Sequence, residues 1–260
     1  MSGPLDGSSA LVTGAGSGIG RATCLRLATE GARVLVTDLD EGAAAETARR
    51  VEAAGGVASS AGLDVREDLD SVLPELVAER LGELDALVNN AGVGTAGSIL
   101  ETSDADWRLL FSVNVDGVLH CTRALLPGML RRGRGRIVNV ASVAGITGLT
   151  NRFAYCATKG AVVSMTRALA LDFARTEIRV NCVCPGTIET PWVEGMAASA
   201  PDRERFFSEM RARQPVGRLG EADEVAAAIA FLCGPDAGFF TGSAVTVDGG
   251  LTAGVPAPRP

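Results

Sequence analysis

The sequence is short of several residue types that particular kinds of site require. Its 260 residues include one histidine, one tyrosine and, among 24 basic residues, one lysine. Six cysteines are present, but their spacing fits no zinc-binding pattern, and the single histidine, His120, lies in an apolar, helix-like segment. We therefore expect no histidine-based metal site, and we expect reduced, mostly buried thiols in a cytoplasmic protein.

Basic charge is also scarce relative to acidic charge. Lys and Arg total 24 against 31 Asp and Glu, a formal net charge of −7, with the two signs interspersed. Phosphate binding needs a basic face, so nucleic acid is not an expected partner. Apolar stretches such as Ala222–Cys233 are too short to span a membrane, and no basic segment followed by an apolar run opens the chain. No membrane partner or signal peptide is expected either.

Short apolar runs alternate with longer amphipathic segments from one end of the chain to the other. Seven runs are too short for helices, and most are rich in Val, Leu and Ile, as buried parallel strands are. They fall at 9–13, 33–37, 57–62, 86–88, 136–140, 179–183 and 244–247. Helical periodicity lies between them at 18–30, 41–53, 68–81, 104–131, 155–175 and 222–233. This alternation predicts an α/β, doubly wound Rossmann fold, a seven-stranded parallel sheet with helices on both faces.

No linker or shift in composition divides the chain, so residues 1–260 are predicted to form one domain. Residues 190–218 break the alternation and carry large apolar side chains, including Trp192 and Met196. We expect a helical insertion there. Residues 255–260 are rich in proline and are expected to form a flexible tail.

The first predicted strand runs into the motif TGAGSGIG, residues 13–20, and then into a helix. Glycines suit a tight turn whose backbone must approach a pyrophosphate closely. The N-terminus of the helix then offers free N–H groups and a positive dipole to that anion. A glycine pattern alone is a weak signal, but its place between a first strand and a helix favours a dinucleotide site.

The second predicted strand is followed by Asp38. A carboxylate at this point can accept hydrogen bonds from the adenosine ribose, and it would repel a ribose 2′-phosphate. No basic residue stands at Ser17 or Leu39 to neutralise such a phosphate. This pattern favours NAD over NADP. The alternative, that Asp38 only caps the next helix, is open because Asp40 could also be that cap.

Tyr155 and Lys159 are the only tyrosine and the only lysine, and they are four residues apart. That spacing places them on one face of a helix. Arginine occupies every other basic position, so the lysine is expected to be needed as a primary ammonium. A nearby ammonium favours the phenolate, and a lowered pKa would let Tyr155 exchange a proton with an alcohol as hydride moves.

Two more polar groups follow predicted strands at the same edge of the sheet. Ser142 follows the strand at 136–140, and Asn89-Asn90-Ala91-Gly92 follows the strand at 86–88. Ligands of open parallel sheets bind beyond the carboxyl ends of the strands, where these groups converge. A serine after a strand is usually only a helix cap. The position of Ser142 shortly before Tyr155 is what favours a role in the site.

Together these motifs resemble the short-chain dehydrogenase/reductase family over essentially the whole chain. The matching parts are residues 13–20, the NNAG at 89–92, Tyr155 with Lys159, and Pro185-Gly186. The resemblance implies a catalytic tetrad of Asn114, Ser142, Tyr155 and Lys159, in which Asn114 supports a water-linked proton relay. It implies a nicotinamide cofactor, NAD, held by Gly14, Ser17, Gly18, Ile19, Gly20, Asp38, Leu39, Asp64, Val65, Asn90, Ala91, Gly92, Tyr155, Lys159, Pro185, Gly186, Ile188 and Thr190.

The resemblance also bears on assembly and substrate. It implies a homotetramer built through the helices near 104–131 and 155–175, and it makes residues 190–218 a substrate lid. The segments around Arg152 and Arg213 look like those of 3-hydroxybutyrate and deoxy-sugar-acid dehydrogenases, in which matching arginines bind a carboxylate. The predicted substrate contacts are Ser142, Arg152, Tyr155, Trp192, Met196 and Arg213.

The sequence is also compatible with other functions. Apolar lid residues would also suit a neutral cyclic or lipid-like alcohol. Glycine-rich strand–helix turns also bind S-adenosylmethionine, although Ser142, Tyr155 and Lys159 would then have no role. A regulatory protein that binds NAD without turnover is a third class, and such proteins usually lack a member of the tetrad.

Overall fold

In the computed structural model, which describes residues 3–254, one seven-stranded sheet forms the centre of the molecule. Its strands are β1 (Ser9–Val12), β2 (Arg33–Asp38), β3 (Val57–Gly62), β4 (Ala86–Asn89), β5 (Arg134–Val140), β6 (Glu177–Pro185) and β7 (Ala244–Val247). All neighbouring strands are parallel, in the order β3-β2-β1-β4-β5-β6-β7. The predicted parallel sheet of seven strands is confirmed.

The strand order reverses beside β1. The chain builds outward from β1 to β3, then crosses back to place β4 on the other side of β1. Because every strand points the same way, all carboxyl ends lie at one edge of the sheet. A crevice opens at that edge where the order reverses, which is where such folds bind ligands.

Helices cover both faces of the sheet, as predicted. Within residues 3–254 they are α1 (Gly18–Thr29), α2 (Glu41–Ala53), α3 (Val72–Arg80), α4 (Asp104–Phe111), α5 (Gly117–Arg132), α6 (Phe153–Asp172), α7 (Pro191–Ala198), α8 (Arg203–Arg213) and α9 (Ala222–Cys233). Leu27 of α1 and Ile229 of α9 are fully buried in the core on one face. Leu73 of α3 and Leu125 of α5 belong to the core on the other face.

Four strands are longer than the apolar runs that predicted them, β2 and β4 by one residue and β5 and β6 by more. β5 begins at Arg134 rather than 136, and β6 spans Glu177–Pro185 rather than 179–183. Arg134 and Glu177 are paired in the ladder. Ladder hydrogen bonds join backbone groups, so the pairing continues through polar residues that an apolar pattern cannot register.

The helix predicted over 104–131 is interrupted. A five-residue π-helical turn, Ser112–Asp116, separates α4 from α5 and carries Asn114. One extra residue in a turn hardly alters a periodic pattern, so the sequence predicted a single helix. Such π-turns often occur at functional sites.

The same stretch, Asp104–Arg132, meets the length and hydropathy of a membrane-spanning helix, with a mean hydropathy of 1.2. Its apolar side chains include Leu110, Cys121 and Leu125, which are buried in the protein. It also carries charged residues at both ends and in the middle, such as Asp116. These features are those of a core helix, so length and composition alone are weak grounds for a membrane span.

The predicted insertion at 190–218 is helical and contains α7 and α8. Thr190 caps α7 by accepting a hydrogen bond from the N–H of Val193, and Asp202 caps α8 in the same way with Arg205. The predicted tail at 255–260 lies outside the described residues.

Candidate active site

The loops at the carboxyl edge of the sheet line two connected compartments. The first, which we call the long groove, is lined by the predicted residues Gly14, Ser17, Gly18, Ile19, Gly20, Asp38, Leu39, Asp64, Val65, Asn90, Ala91, Gly92 and Thr190. The second, the Tyr155 pocket, is lined by the predicted residues Ser142, Arg152, Tyr155, Lys159, Pro185, Gly186, Ile188, Trp192, Met196 and Arg213. Ile19 and Asn90 line both compartments. The structure thus brings the predicted cofactor and substrate residues together.

The glycine loop has a backbone that other residues would not permit. Gly14 has a φ of +60°, and a Cβ there would lie 2.6 Å from the Cα of Ala91. A Cβ at Gly20 would lie 2.4 Å from the carbonyl oxygen of Gly14. The loop is therefore packed closely against both α1 and the loop after β4. α1 begins at Gly18, so its N-terminal N–H groups meet the long groove.

Asp38 is held at the rim of this loop by two backbone donors. Its Oδ2 accepts from the N–H of Gly16 at 2.8 Å, and its Oδ1 accepts from the N–H of Asp40 at 3.0 Å. The cap of α2 is Asp40, which accepts from the N–H of Ala43 at 3.1 Å. The alternative role of Asp38 as the helix cap is therefore wrong, because Asp40 fills it.

Asn90 ties the two sides of the groove together. Its Nδ2 donates to the carbonyl oxygens of Thr13 at 2.9 Å and Gly14 at 2.8 Å. The hydroxyl of Thr13 accepts from the N–H groups of Asn90 and Ala91, both at 3.1 Å. The preceding Asn89 is buried and donates to the side chain of Asn139 on β5 at 2.8 Å. Of the two asparagines, only Asn90 reaches the groove.

Tyr155, Ser142 and Lys159 meet at the base of the Tyr155 pocket. The side chains of Tyr155 and Ser142 both line the pocket, and the hydroxyl of Ser142 acts to lower the pKa of the Tyr155 phenol. The Nζ of Lys159 lies 5.8 Å from the centre of the tyrosine ring and donates to the carbonyl oxygen of Val140 at 2.8 Å. Ser142 also accepts from the N–H of Ala144 at 3.1 Å. Ser142 is thus both a cap, as the simpler interpretation held, and a partner of Tyr155.

Asn114 lies just behind this group and is almost fully buried. Its Oδ1 accepts from the N–H of Val93 at 2.8 Å, and its Nδ2 donates to the carbonyl oxygen of Val93 and to Thr158. A Cβ placed on Gly92 would lie 3.3 Å from the Oδ1 of Asn114 and 3.4 Å from the Nζ of Lys159. The two polar atoms therefore flank the same point beside Gly92, although they are not bonded to each other.

The pKa shifts of Tyr155 and Lys159 differ from the prediction. Burial raises the pKa of the Tyr155 phenol, while the hydroxyl of Ser142 and the charge of Arg152 lower it in part. Burial also lowers the pKa of the Lys159 ammonium to about 8. The expectation that Lys159 depresses the tyrosine pKa is therefore wrong for this structure, because loss of solvent is the largest effect on both groups.

Two arginines face the Tyr155 pocket. Arg152 is half-buried, and burial lowers the pKa of its guanidinium, with the charge of Arg213 acting in the same direction. Its Nη2 lies 3.0 Å from the sulfur of Met196, and the guanidinium lies 6.0 Å from the centre of the Trp192 ring. Among residues 3–254, no carboxylate forms an ion pair with either arginine. Two like charges share one side of this pocket.

Sequence reasoning missed several residues of the site, of which two bear on its polar and aromatic contacts. Gly94 lies under the indole of Trp192, and Arg66 lines the long groove beside Asp64. The only signal for Arg66 was its place directly after Asp64 and Val65. Gly94 had no signal, because its role depends on Trp192, which is distant in the chain.

The comparisons with known proteins agree with this geometry. Residues 14–252 match a family model described as enoyl-(acyl carrier protein) reductase. The chain is 42% identical to meso-2,3-butanediol dehydrogenase of Serratia marcescens, over 95% of this chain and 96% of that protein. It is 40% identical to 2-keto-3-deoxy-L-fuconate dehydrogenase of Xanthomonas campestris pv. campestris, over 95% and 80%. A solved structure from Burkholderia xenovorans, described as a short-chain dehydrogenase/reductase, superposes with a TM-score of 0.94 at 35% identity, over 98% and 100%.

Proposed function

The chain belongs to the short-chain dehydrogenase/reductase family, and we propose that it interconverts a secondary alcohol and a ketone with NAD, using Tyr155 as its acid/base. The observation that carries this proposal is that Ser142, Tyr155 and Lys159 line one pocket, which shares lining residues with the long groove. A phenol and a hydroxyl that line the same pocket can both contact a single substrate oxygen.

The long groove fits a dinucleotide. Its glycine loop leaves no room for a Cβ at Gly14, Gly16 or Gly20, where an added carbon would meet other atoms at 2.4–2.8 Å. The loop is thus packed closely against its neighbours, and α1 begins directly after it, so the N–H groups of its first turn are placed to meet a pyrophosphate. Bound NAD would supply the hydride acceptor, or NADH the donor. Thr190, which lines both compartments, and Lys159, which lines the Tyr155 pocket, would hold the nicotinamide end.

NAD is favoured over NADP by the carboxylate of Asp38. Gly16 and Asp40 fix that carboxylate with their backbone N–H groups, so it cannot swing away without losing both hydrogen bonds. It can accept from ribose hydroxyls, and it would repel a phosphate in their place. Ser17 and Leu39 bring no positive charge to offset that repulsion.

The raised pKa of Tyr155 suits the reductive direction at neutral pH. The phenol keeps its proton and can donate it to the carbonyl oxygen that Ser142 orients. Lys159 is placed to resupply that proton, and its Nζ flanks the same point beside Gly92 as the Oδ1 of Asn114. In the oxidative direction, Tyr155 must first lose its proton. The charge of Arg152 would favour that loss.

The substrate class is suggested by the two arginines. Arg152 and Arg213 lie on the side of the pocket that carries no matching carboxylate, so an anionic group on the substrate would relieve their repulsion. We propose a hydroxy acid or sugar acid with a carboxylate a few bonds from the reacting carbon. The relative named for 2-keto-3-deoxy-L-fuconate supports this choice.

A neutral substrate is the second candidate. Leu149, Val193, Met196 and Met210 give the pocket a largely apolar lining, and one relative is named for 2,3-butanediol. The test is to mix the purified protein with NAD and a panel containing hydroxy acids, sugar acids, diols and cyclic alcohols, and to follow NADH formation. Turnover of any member supports the dehydrogenase. Turnover of neutral alcohols alone would contradict the proposal that the substrate is a hydroxy acid or sugar acid.

We further propose a homotetramer in the cytoplasm. Apolar side chains stand exposed along the predicted contact helices, among them Leu109 on α4, Leu119 on α5 and Phe153 at the start of α6. All six cysteines are free, and five of them are buried, which suits a reducing compartment. Light scattering of the purified protein tests the assembly.

A further inference from the structure

Arg152 and Tyr155 stand close together at the start of α6. Arg152 is the N-cap residue of this helix, and Tyr155 lies in its first turn, three positions later. The N–H of Cys156 donates to the carbonyl oxygen of Arg152 at 2.8 Å, which closes this turn. The N-cap residue and the residue three positions later are neighbours across the first turn of a helix. Both side chains line the Tyr155 pocket, so the guanidinium and the phenol share one cavity.

Two side chains of α7 hold the guanidinium of Arg152. Its Nη2 lies 3.0 Å from the sulfur of Met196, and its central carbon lies 6.0 Å from the centre of the Trp192 ring. The centre of the Tyr155 ring also lies 6.0 Å from that indole. Trp192 and Met196 are four positions apart and therefore share one face of α7. The arginine and the tyrosine thus lie beside the same indole.

No acidic group of the pocket offsets the charge of Arg152. Within the described part of the chain, the lining of this pocket includes no Asp, Glu or His. The acidic residue of α7, Glu194, pairs instead with Arg203 at 2.6 Å. Arg213, from α8, adds a second positive charge to the pocket. The charge of a half-buried cation is screened less than that of an exposed one, so Arg152 can act on a neighbouring phenol.

The other ionisable groups near Tyr155 are less suited to this role. Burial lowers the pKa of the Lys159 ammonium to about 8, so Lys159 is largely neutral in the alkaline range where a phenol ionises. The thiol of Cys156 opposes the phenolate when it is ionised itself. The guanidinium of Arg152 keeps its charge throughout this range. The N-terminus of α6 adds a positive dipole in the same place.

We propose that Arg152 is a positioning residue that acts through Tyr155: its charge, held beside Trp192, favours the phenolate and so promotes proton transfer in the oxidative direction. The inference rests on the proposed function in that Tyr155 must be the acid/base. It also has a consequence for substrates. A carboxylate bound to Arg152 would neutralise its charge, so hydroxy acids should require a higher pH for oxidation than neutral alcohols.

The test uses the fact that Tyr155 is the only tyrosine in the chain, so a titration of phenolate reports on this residue alone. The near-ultraviolet absorbance of phenolate is followed as the pH is raised, over the range in which circular dichroism shows a folded protein. In Arg152→Met the phenolate should appear about one pH unit higher, which is about a tenfold smaller ionised fraction at a given pH below the midpoint. The pH profile of kcat for oxidation of 2,3-butanediol should move by the same amount, while its KM changes little.

Two further variants separate charge from packing. Arg152→Gln is neutral but polar, so it should displace the titration as far as Arg152→Met does if charge is the cause. Arg211→Met removes an exposed arginine of α8 and should leave the titration unchanged. Thermal melting verifies that each variant is folded.

The unaltered protein offers a test that needs no substitution. The probes are 3-hydroxybutyrate and 3-hydroxybutyramide, which have nearly the same shape and differ in charge. Each is added together with NADH, which neither compound can oxidise. The acid should reduce the phenolate fraction of Tyr155 at a given pH, and the amide should not. In Arg152→Met the two compounds should have equal effects.

The outcomes separate the inference from the function on which it rests. Activity that survives in Tyr155→Phe would contradict the proposed function. An unchanged titration in a folded Arg152→Met, or a displacement that Arg152→Gln does not share, would overturn the role of Arg152. Equal effects of acid and amide, with a titration displaced in both variants, would contradict the acidic substrate and support the role of Arg152. A displacement common to both variants, together with an effect of the acid that Arg152→Met loses, would support the whole inference.

Discussion

The indole of Trp192 lies directly on the backbone of Gly94. A Cβ added to Gly94 would be 2.6 Å from Cζ2 of the indole and 3.3 Å from Cδ2 of Tyr155. The rings of Trp192 and Tyr155 are 6.0 Å apart. A residue of α7, in the insertion, therefore reaches the reacting end of the Tyr155 pocket only because the loop after β4 has no side chain at this point.

Gly94→Ala should displace the indole without unfolding the protein. Gly94 does not have the positive φ that disfavours other residues, so the strain falls on the side chain of Trp192. Moving a side chain off its preferred rotamer costs about 0.5–1.5 kcal/mol, so kcat/KM should fall about twofold to tenfold.

Trp192→Phe should relieve the clash in the Gly94→Ala variant, because a phenyl ring is smaller than an indole. The loss in the double variant should then be smaller than the sum of the two single losses. Additive losses would show that Gly94 and Trp192 act independently. Steady-state kinetics on all four proteins measure the coupling.

Tyr155→Phe should abolish turnover while the dinucleotide still binds. The substitution removes the oxygen that exchanges the proton and almost no volume. Loss of a general acid/base reduces kcat by about a hundredfold or more. Kinetics and NADH fluorescence titration measure the two properties separately. Retention of more than about a tenth of the rate would refute the assignment.

Lys159→Met should inactivate the enzyme, because the ammonium near Tyr155 is lost. It should also stabilise the fold at neutral pH. The folded-state pKa of Lys159 is about 8, against 10.5 for the free side chain, so folding disfavours its protonated form. The protonated side chain therefore lowers the free energy of unfolding by its full amount below pH 8. This loss of stability decreases as the pH rises to 10.5, and above that pH it is zero.

A depression of this size corresponds to about 3 kcal/mol, and the lost hydrogen bond to Val140 offsets about 1 kcal/mol. The variant should therefore be about 2 kcal/mol more stable than the natural protein at pH 7. Near pH 10 this gain should largely vanish. Urea unfolding at the two pH values measures it. Arg167→Met, an exposed change on the same helix, is the control and should show no such dependence on pH.

Asp38 should account for the choice of cofactor. We expect kcat/KM with NAD to exceed that with NADP by at least about tenfold, or about 1.4 kcal/mol. Asp38→Ala should narrow this gap, because the repulsion of a 2′-phosphate is removed. Asp40→Ala is the matched control: it loses the cap of α2, about 1 kcal/mol of stability, and should keep the preference. Equal efficiency with both cofactors in the natural protein would contradict the prediction.

Arg152→Met and Arg213→Met should each raise KM for an acidic substrate. A charge-assisted contact contributes about 1.5–3 kcal/mol, which corresponds to a rise of about tenfold to a hundredfold. KM for a neutral substrate such as 2,3-butanediol should change little. Arg211→Met, an exposed change on α8, is the control. If KM for acids is unchanged in both pocket variants, the arginines do not bind the carboxylate.

The sequence alone determined the parallel sheet, its helices and most of the residues that line the site. Buried strands are recognisable because each is a short apolar run between amphipathic segments. The motifs around Gly14, Asn90 and Tyr155 are recognisable because close backbone approach and proton transfer permit few residue types. These properties are local, so a linear pattern carries them.

Only the tertiary structure decided the rest. Contacts between distant segments produce the π-helical turn at Asn114, the packing of Trp192 on Gly94 and the full pairing of β5 with β6. The raised pKa of Tyr155 likewise reflects burial, which no spacing of Tyr155 and Lys159 reveals. Solvent exclusion belongs to the packed molecule: the sequence places a lysine near a tyrosine, but the surrounding atoms decide which protonation state each one prefers.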